Sequence, residues 1–290
     1  MLQEEHSEGL PKKTLPQNFL HLRQSLSFLR GSFTGNRKAV IGDEGRRGVR
    51  FSFGIFAAEY YTGDHEPVLE PFRGLRFVTW DRILNTYKPD VWRYMMKGFK
   101  LAPCALVDLS EEEYWKEWTK TLRQYRTKWE TQDEYEIKKV DRDEFAHWYR
   151  MLGRPRSLVR AAVEALDSHI KESENNVGMF MLKHTASGDV VAGIATIDAR
   201  DVGQSYYLMA FLDKKNAPRA AGLWLISNWM TLCKEKGIRF ANLGVVWEPG
   251  ESKGWKGFTE FKMHFHPIIM EYQKPLFRLT LSLKGERVPE

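Results

Sequence analysis

Residues 204–245 read QSYYLMAFLDKKNAPRAAGLWLISNWMTLCKEKGIRFANLGV. The opening QSYYLMAFL is rich in aromatic and aliphatic residues and free of charge, as strands are. From Arg219 to Lys236 apolar side chains recur at helical spacing, and Gly237 stands where a helix ends most easily. RFANLGV (239–245) then returns to a short apolar strand. Strand, long helix and strand in this order form a crossover unit, whose two strands run parallel in one sheet.

The flanks extend the pattern. YEIKKV (135–140) reads as a strand. Asp141 caps a helix carrying Phe145, Trp148, Tyr149 and Leu152 inward, and a second helix runs from about Ser157 to Lys171. Strands 178–183 and 190–198 enclose the turn HTASGD and form a meander with 204–212. Downstream, Pro249, Gly250 and Gly254 mark a loop, 257–264 a short helix, and 267–283 an extended segment. The order β-α-α-β-β-β-α-β-α-β predicts a mixed sheet with helices on its faces, an α/β (α+β) class.

The first half is less regular. Its first 18 residues are polar and Pro-broken and read as frayed. Phe19, Leu22, Leu26, Leu29 and Phe33 have helical spacing, 38–42 and 49–58 read as strands about the turn-forming GDEGRRG, and Trp80 to Met96 reads as helical around Pro89. PCALVDL (103–109) is a short buried strand. Ser110 with Glu113 forms a capping box, predicting a helix to about Trp129 with Tyr114, Trp118, Leu122, Tyr125 and Trp129 as its apolar stripe. Lys120, Arg123 and Arg126 form a basic stripe beside it, either anion-facing or simply solvated.

The chain has 290 residues, 42% hydrophobic and 13% aromatic with ten Trp, which excludes a disordered chain. Its length favours two domains, 19–133 and 134–290. The net charge of +6 divides equally across that boundary. A mild basic excess suits an anionic substrate or carrier such as a nucleotide, CoA or tRNA. Cys104 and Cys233 lie in apolar surroundings without CxxC spacing, which excludes a disulfide framework and points to a reducing, cytoplasmic compartment. No apolar run reaches the roughly 20 residues of a membrane span, and the N-terminus has no secretory h-region. The absence of GxGxxG, Walker A and HExxH patterns removes dinucleotide oxidoreductases and P-loop enzymes. No metal is expected.

The element order is similar to that of the GNAT-type N-acyltransferase fold. CALVDLSEEEYWKEWTKTLRQYR (104–126) resembles the middle of Fem-type peptidoglycan peptidyltransferases, where a strand ending in Asp-Leu leads into an acidic-capped helix with a Lys/Arg face. Residues 206–265 resemble that family's second-domain core: a Tyr-bearing strand, a long helix ending in Lys-Gly, a strand ending in Gly, a loop, and Phe-Lys-x-x-Phe at Phe261, Lys262 and Phe265. The likeness covers 104–275 well and 35–100 by inference. It implies two tandem GNAT-like domains, each a mixed, mostly antiparallel sheet flanked by helices, the first more degenerate.

The resemblance implies transfer of an acyl or aminoacyl group from an activated carrier to an amine, without a tightly bound cofactor. Aminoacyl-tRNA is the implied donor and a nucleotide- or lipid-linked muropeptide the acceptor; monomer and dimer stay open. The family's functional lysine falls on Lys262, beside Phe261, where a cation would stabilise a tetrahedral oxyanion or a departing alkoxide. The strand 206–212 would be splayed from its neighbour by a bulge. Tyr206 and Tyr207 alternate to opposite faces, and one of them would protonate the leaving group. Arg219-Ala-Ala-Gly222-Leu-Trp224 is similar to the pyrophosphate-holding helix start of acetyl-CoA users, with Trp224 in place of a small residue. That departure favours a different carrier, or a carrier held without a CoA cradle. Trp247, Lys253, Trp255, Lys256, Phe258, His264 and His266 interleave cations and aromatics, which suits an RNA 3′ end, as Arg123 and Arg126 suit an anion. Asp108 is the first candidate base, with Asp198 and Glu260 candidates by type. Each of these residues also has an ordinary role as sheet, helix-surface or strand-end residue. Two alternatives stand beside this reading: an acyl-CoA- or acyl-carrier-protein-dependent N-acyltransferase acting on a small amine or amino sugar, and a catalytically silent GNAT-like binding module.

Overall fold

The crossover unit lies at the heart of the larger of two sheets. The computed structural model describes residues 38–41, 47–53, 55–69, 72–82, 87–95, 102–153, 156–248 and 256–282. The helical spacing at 19–33, the first 18 residues, most of GDEGRRG, and the loop with Lys253 and Trp255 lie outside them. In chain order the strands are β1 (Lys38–Ile41), β2 (Arg47–Phe53), β3 (Phe56–Thr62), β4 (Gly74–Asp81), β5 (Arg93–Tyr94), β6 (Cys104–Asp108), β7 (Tyr135–Lys139), β8 (Val177–His184), β9 (Val190–Ala199), β10 (Gln204–Leu212), β11 (Phe240–Val245), β12 (Ile268–Met270) and β13 (Leu276–Ser282). The described helices are α1 (Lys120–Glu130), α2 (Arg142–Leu152), α3 (Val159–Glu172), α4 (Ala221–Glu235) and α5 (Lys256–Met263).

The sheets run β1-β2-β3-β4-β13-β5 and β12-β6-β11-β10-β9-β8-β7. Each is antiparallel except for one parallel pair, β3 with β4 and β10 with β11. The class is α/β, built on two mixed, mostly antiparallel sheets. Strand pairing crosses residue 133 in both directions. β6, from the first half, lies between β12 and β11, and β13, from the second, lies between β4 and β5. Ala105, Leu106 and Val107 of β6 are buried, so this strand needs a partner on both edges and cover on both faces.

Helices cover both faces of the second sheet. α4 is apolar on most sides and packs Leu223, Ile226, Trp229 and Met230 into the main core, with Leu122 of α1 and Phe180 and Leu182 of β8. α2 and α3 bring Phe145, Tyr149, Val163 and Leu166 to the other face, against Met179 and Met181 of β8 and Met209 and Phe211 of β10. A buried polar chain beside the main core is paired: Trp229 Nε1 donates to Ser205 Oγ at 2.9 Å, Ser205 donates to Asp198 at 2.8 Å, and Lys236 meets the other Asp198 oxygen at 2.8 Å. Asp198 is thereby a structural carboxylate.

Several expectations are corrected. Residues 49–58 are two strands: β2 ends at Phe53 and β3 begins at Phe56. Trp80 and Asp81 complete β4 and Arg93 and Tyr94 form β5, so 80–96 is no single helix; both Trp80 and Trp92 are drawn into one edge-to-face aromatic pair. Ser110 opens no capping box. Its amide donates to Asp108 Oδ1 at 3.0 Å, residues 114–117 make one 3-10 turn, and Trp118 is extended. The break lets Tyr114 and Trp118 both enter the core, where Trp118 meets Phe265 edge-on at 5.0 Å, and it gives the Thr119 amide to the His264 carbonyl. Burial of a tryptophan outweighs continuation of the helix by one turn.

Asp141, by contrast, caps α2 as its sequence predicts, accepting the Glu144 amide at 2.9 Å. Asp141→Ala is expected to cost about 1 kcal/mol, read as a lower urea midpoint with an unchanged m-value.

Candidate active site

The parallel strands β10 and β11 hold together for three residue pairs, Gln204↔Phe240, Ser205↔Ala241 and Tyr206↔Asn242. Beyond Tyr206, β10 follows β9, with a register shift between Tyr207 and Met209. β11 has its own irregularity against β6, between Asn242 and Val245. A bulge bends its strand and increases the local twist, so two bulged neighbours part. A wedge therefore opens at the C-terminal ends of the central pair. The same bulge inverts the side-chain alternation of β10: Tyr207 packs with the main core, whereas Met209 and Phe211 face α2 and α3.

Three residues meet at the mouth of the wedge. Gly244 has φ +80°, in the left-handed region that glycine accepts without strain. A Cβ there would lie 3.6 Å from the Tyr206 hydroxyl and 3.9 Å from Lys262 Nζ. Lys262 enters from α5 and donates to the Val245 carbonyl at 2.6 Å. Burial lowers the Lys262 ammonium to about 8, and the Cys104 side chain acts in the opposite sense. Tyr206 is half-buried and rests on Ala199 and Val202.

Short helices are marginal alone, so α5 depends on its anchors. Phe265 is buried against Trp118, Phe261 packs edge-on to Phe265 at 5.4 Å, and Thr259 Oγ1 accepts the Trp247 amide at 2.7 Å. Phe261 therefore serves to place Lys262.

The other expected site residues are distributed around this point. Tyr207 turns into the core, 6.4 Å from Trp229, and burial pushes its phenol above the ordinary range. Asp108 pairs with Phe240, at the far end of β11 from Val245. Burial acts to raise its carboxyl, but hydrogen bonds from Arg239 and Ser110 leave it below the usual range. Glu260 is exposed and lies 3.8 Å from Lys256. Asp108 and Asp198 lie beside the paired, N-terminal part of β11 and β10, away from the wedge.

At the start of α4, Arg219 is exposed with its guanidinium 5.6 Å over Tyr125, and a Cβ at Gly222 would meet no atom within 4 Å. Trp224 stacks on Trp129 of α1 at 4.7 Å and 13°, so its indole is held against α1. The basic stripe of α1 divides. Arg123 is exposed, whereas Arg126 is half-buried, bonded to Glu130 at 2.9 Å and lying 4.8 Å over Trp115. Trp247 is half-buried with exposed Lys256 6.0 Å over its ring.

The sequence reading gave no site role to Gln204 and Asn242, which lie on the paired part of β10 and β11, or to Cys104, which pairs with Val245. The Asn242 amide reaches Gly244 N at 2.9 Å, Gln204 Oε1 at 3.4 Å and Cys104 Sγ at 4.0 Å. The available signal was Asn242 itself, one polar residue within the otherwise apolar FANLGV.

No protein-family model and no curated protein matches the sequence. Solved structures do match the fold. A crystal structure of FemX superposes with TM-score 0.66 at 9% identity, covering 90% of this chain and 92% of that one. The chain shares the fold of that structure. L-PGS from Bacillus licheniformis matches with TM-score 0.51 at 17% identity, over 87% of this chain and 90% of that one. A conserved protein of unknown function from Bacteroides thetaiotaomicron matches with TM-score 0.54 at 12% identity, over 89% and 90%. At these identities the likeness is one of architecture. Among the described residues no helix is long and apolar enough to cross a membrane, and no group of three or more His, Cys, Asp or Glu could hold a metal ion.

Proposed function

We propose that this chain is an acyl- or aminoacyltransferase that forms an amide bond at the open end of the β10/β11 pair. The observation that carries the reading is the convergence of the Tyr206 phenol and the Lys262 ammonium on the space beside Gly244. The acceptor nitrogen attacks the donor carbonyl carbon, a C–N bond forms, and the carbonyl π pair moves to oxygen. The Lys262 ammonium has three donors, one directed to Val245, and its charge stabilises the oxyanion. Collapse breaks the C–O bond of an ester donor or the C–S bond of a thioester. The Tyr206 phenol protonates the leaving atom and is restored, through solvent, by the proton the new amide nitrogen loses.

The donor in this reading is aminoacyl-tRNA, used as a co-substrate with no resident cofactor, and the acceptor is the amine of a nucleotide- or lipid-linked cell-wall precursor peptide. Support comes from the Fem-type architecture, the name of the FemX match, and exposed cations set on aromatic rings at Arg219 and Lys256. The open space at Gly222 favours a second reading, an acyl-CoA or acyl-carrier donor with a small amine or amino sugar. Thermal shifts separate the two. A donor at about 100 times its Kd stabilises the fold by roughly 2.7 kcal/mol, and stabilisation by acyl-CoA but not by charged tRNA contradicts the first version.

The cation role has a pH signature. Lys262 is charged below its pKa of about 8, so kcat/KM, divided at each pH by the neutral fraction of the acceptor amine, is expected to hold up to that pH and decline above it. The limiting slope is about tenfold per unit. A profile measured from about pH 6 to 10 that rises through this region contradicts the role.

A further inference from the structure

We infer that Asn242 is the positioning residue of this site: by holding the Gly244 amide it fixes the direction in which the Val245 carbonyl meets Lys262. The inference rests on the transfer reading only for its kinetic consequence.

Asn242 is 1% exposed in the middle of β11, paired with Tyr206 on one side and Leu106 on the other. An amide so deeply buried costs stability unless both of its ends are paired, and an aliphatic residue would serve the strand better. Both ends are used. Asn242 Oδ1 accepts the Gly244 amide at 2.9 Å, an Asx turn across two residues, and Nδ2 faces Gln204 Oε1 at 3.4 Å. Gln204 is itself fully buried.

The turn has one geometric result. It takes β11 out of register between Asn242 and Val245 and sets Gly244 at φ +80°. The next carbonyl, that of Val245, is then the one Lys262 Nζ reaches at 2.6 Å. A path of contacts thus runs from Gln204 through Asn242 and the Gly244 turn to the lysine. Asn242 has no need to touch substrate to act on it. Among the described residues, the Tyr206 phenol on β10 and the Cys104 thiol on β6 are titratable groups near the ammonium.

The test uses the whole chain, with Asn242→Ala, which removes the acceptor, and Asn242→Ser, which keeps a shorter one. Lysines carrying 13C-methyl groups are titrated by NMR, and Lys262 is the resonance missing from Lys262→Arg. The native midpoint is expected near 8. Asn242→Ala should raise it by at least about one unit as the ammonium turns toward water, and Asn242→Ser should restore most of the difference. In the transfer assay Asn242→Ala should lower kcat by about 10–100-fold with a far smaller change in KM. A midpoint unmoved in folded Asn242→Ala overturns the inference. Gln204→Leu is the second variant. It unties the Asn242 amide without removing it and should move the midpoint the same way, by less; if Asn242→Ala does not fold and Gln204→Leu leaves the midpoint in place, the inference is overturned. A chain whose Lys262 titration responds as stated but which transfers nothing loses the transfer reading and keeps the positioning role.

Discussion

Lys262→Met is expected to lower kcat for amide formation by about 10²–10³-fold while donor and acceptor dissociation constants stay within a small factor. The asymmetry follows from when the charge is needed. Neither a neutral amine nor an ester or thioester carbonyl carries the charge that Lys262 would meet, whereas the tetrahedral intermediate does, so the interaction is made mainly in the transition state. Methionine keeps most of the length and the apolar stem, so Phe261, Phe265 and Trp118 can still seat α5. Single-turnover rates with saturating donor read the effect directly. A change of less than about threefold in kcat removes the oxyanion role.

Gly244→Val is expected to abolish measurable transfer. Its side chain would begin 3.6 Å from the Tyr206 hydroxyl and 3.9 Å from Lys262 Nζ, and its branches would fill the space where the two converge. The left-handed backbone adds a stability cost of about 1–2 kcal/mol. Gly203→Ala separates the two effects. Gly203 also has positive φ, at +64°, but nothing lies within 4 Å of its Cβ position. It should lose comparable stability and retain activity. Equal activity losses in the two variants would mean that backbone strain, and not occupation of the wedge, is responsible.

The sequence was most legible where local patterns agree with tertiary packing. The second sheet, its meander and its crossover helix follow from alternation, helical spacing and the turn residues between 135 and 245, and Asp141 caps α2 as expected. It was least legible where packing overrides local preference. Trp118 abandons a capped helix to bury its ring against Phe265. Arg126 has the spacing of an exposed cation and instead bonds Glu130 and lies over Trp115. The placement of β6 and β13 in each other's sheets depends on contacts far apart in sequence, which periodicity does not report. At the site, Lys262 and Tyr206 were singled out by resemblance and alternation, whereas Asn242 and Gln204 act through one amide and one turn. Asp108 matched by type and position in its strand, yet the strand carries it to the opposite end of β11.

The central claim is tested most directly by incubating the purified chain with a carrier-bound, isotope-labelled acyl or aminoacyl group and an amine acceptor. Charged tRNA with a muropeptide and acyl-CoA with a small amine are run in parallel, and amide-linked label on the acceptor is read by mass spectrometry. The account predicts label transfer by the native chain from one of the donors and its near-complete loss in Lys262→Met. Transfer that persists undiminished in Lys262→Met, or no transfer from a donor and acceptor that both bind the native chain, would contradict it.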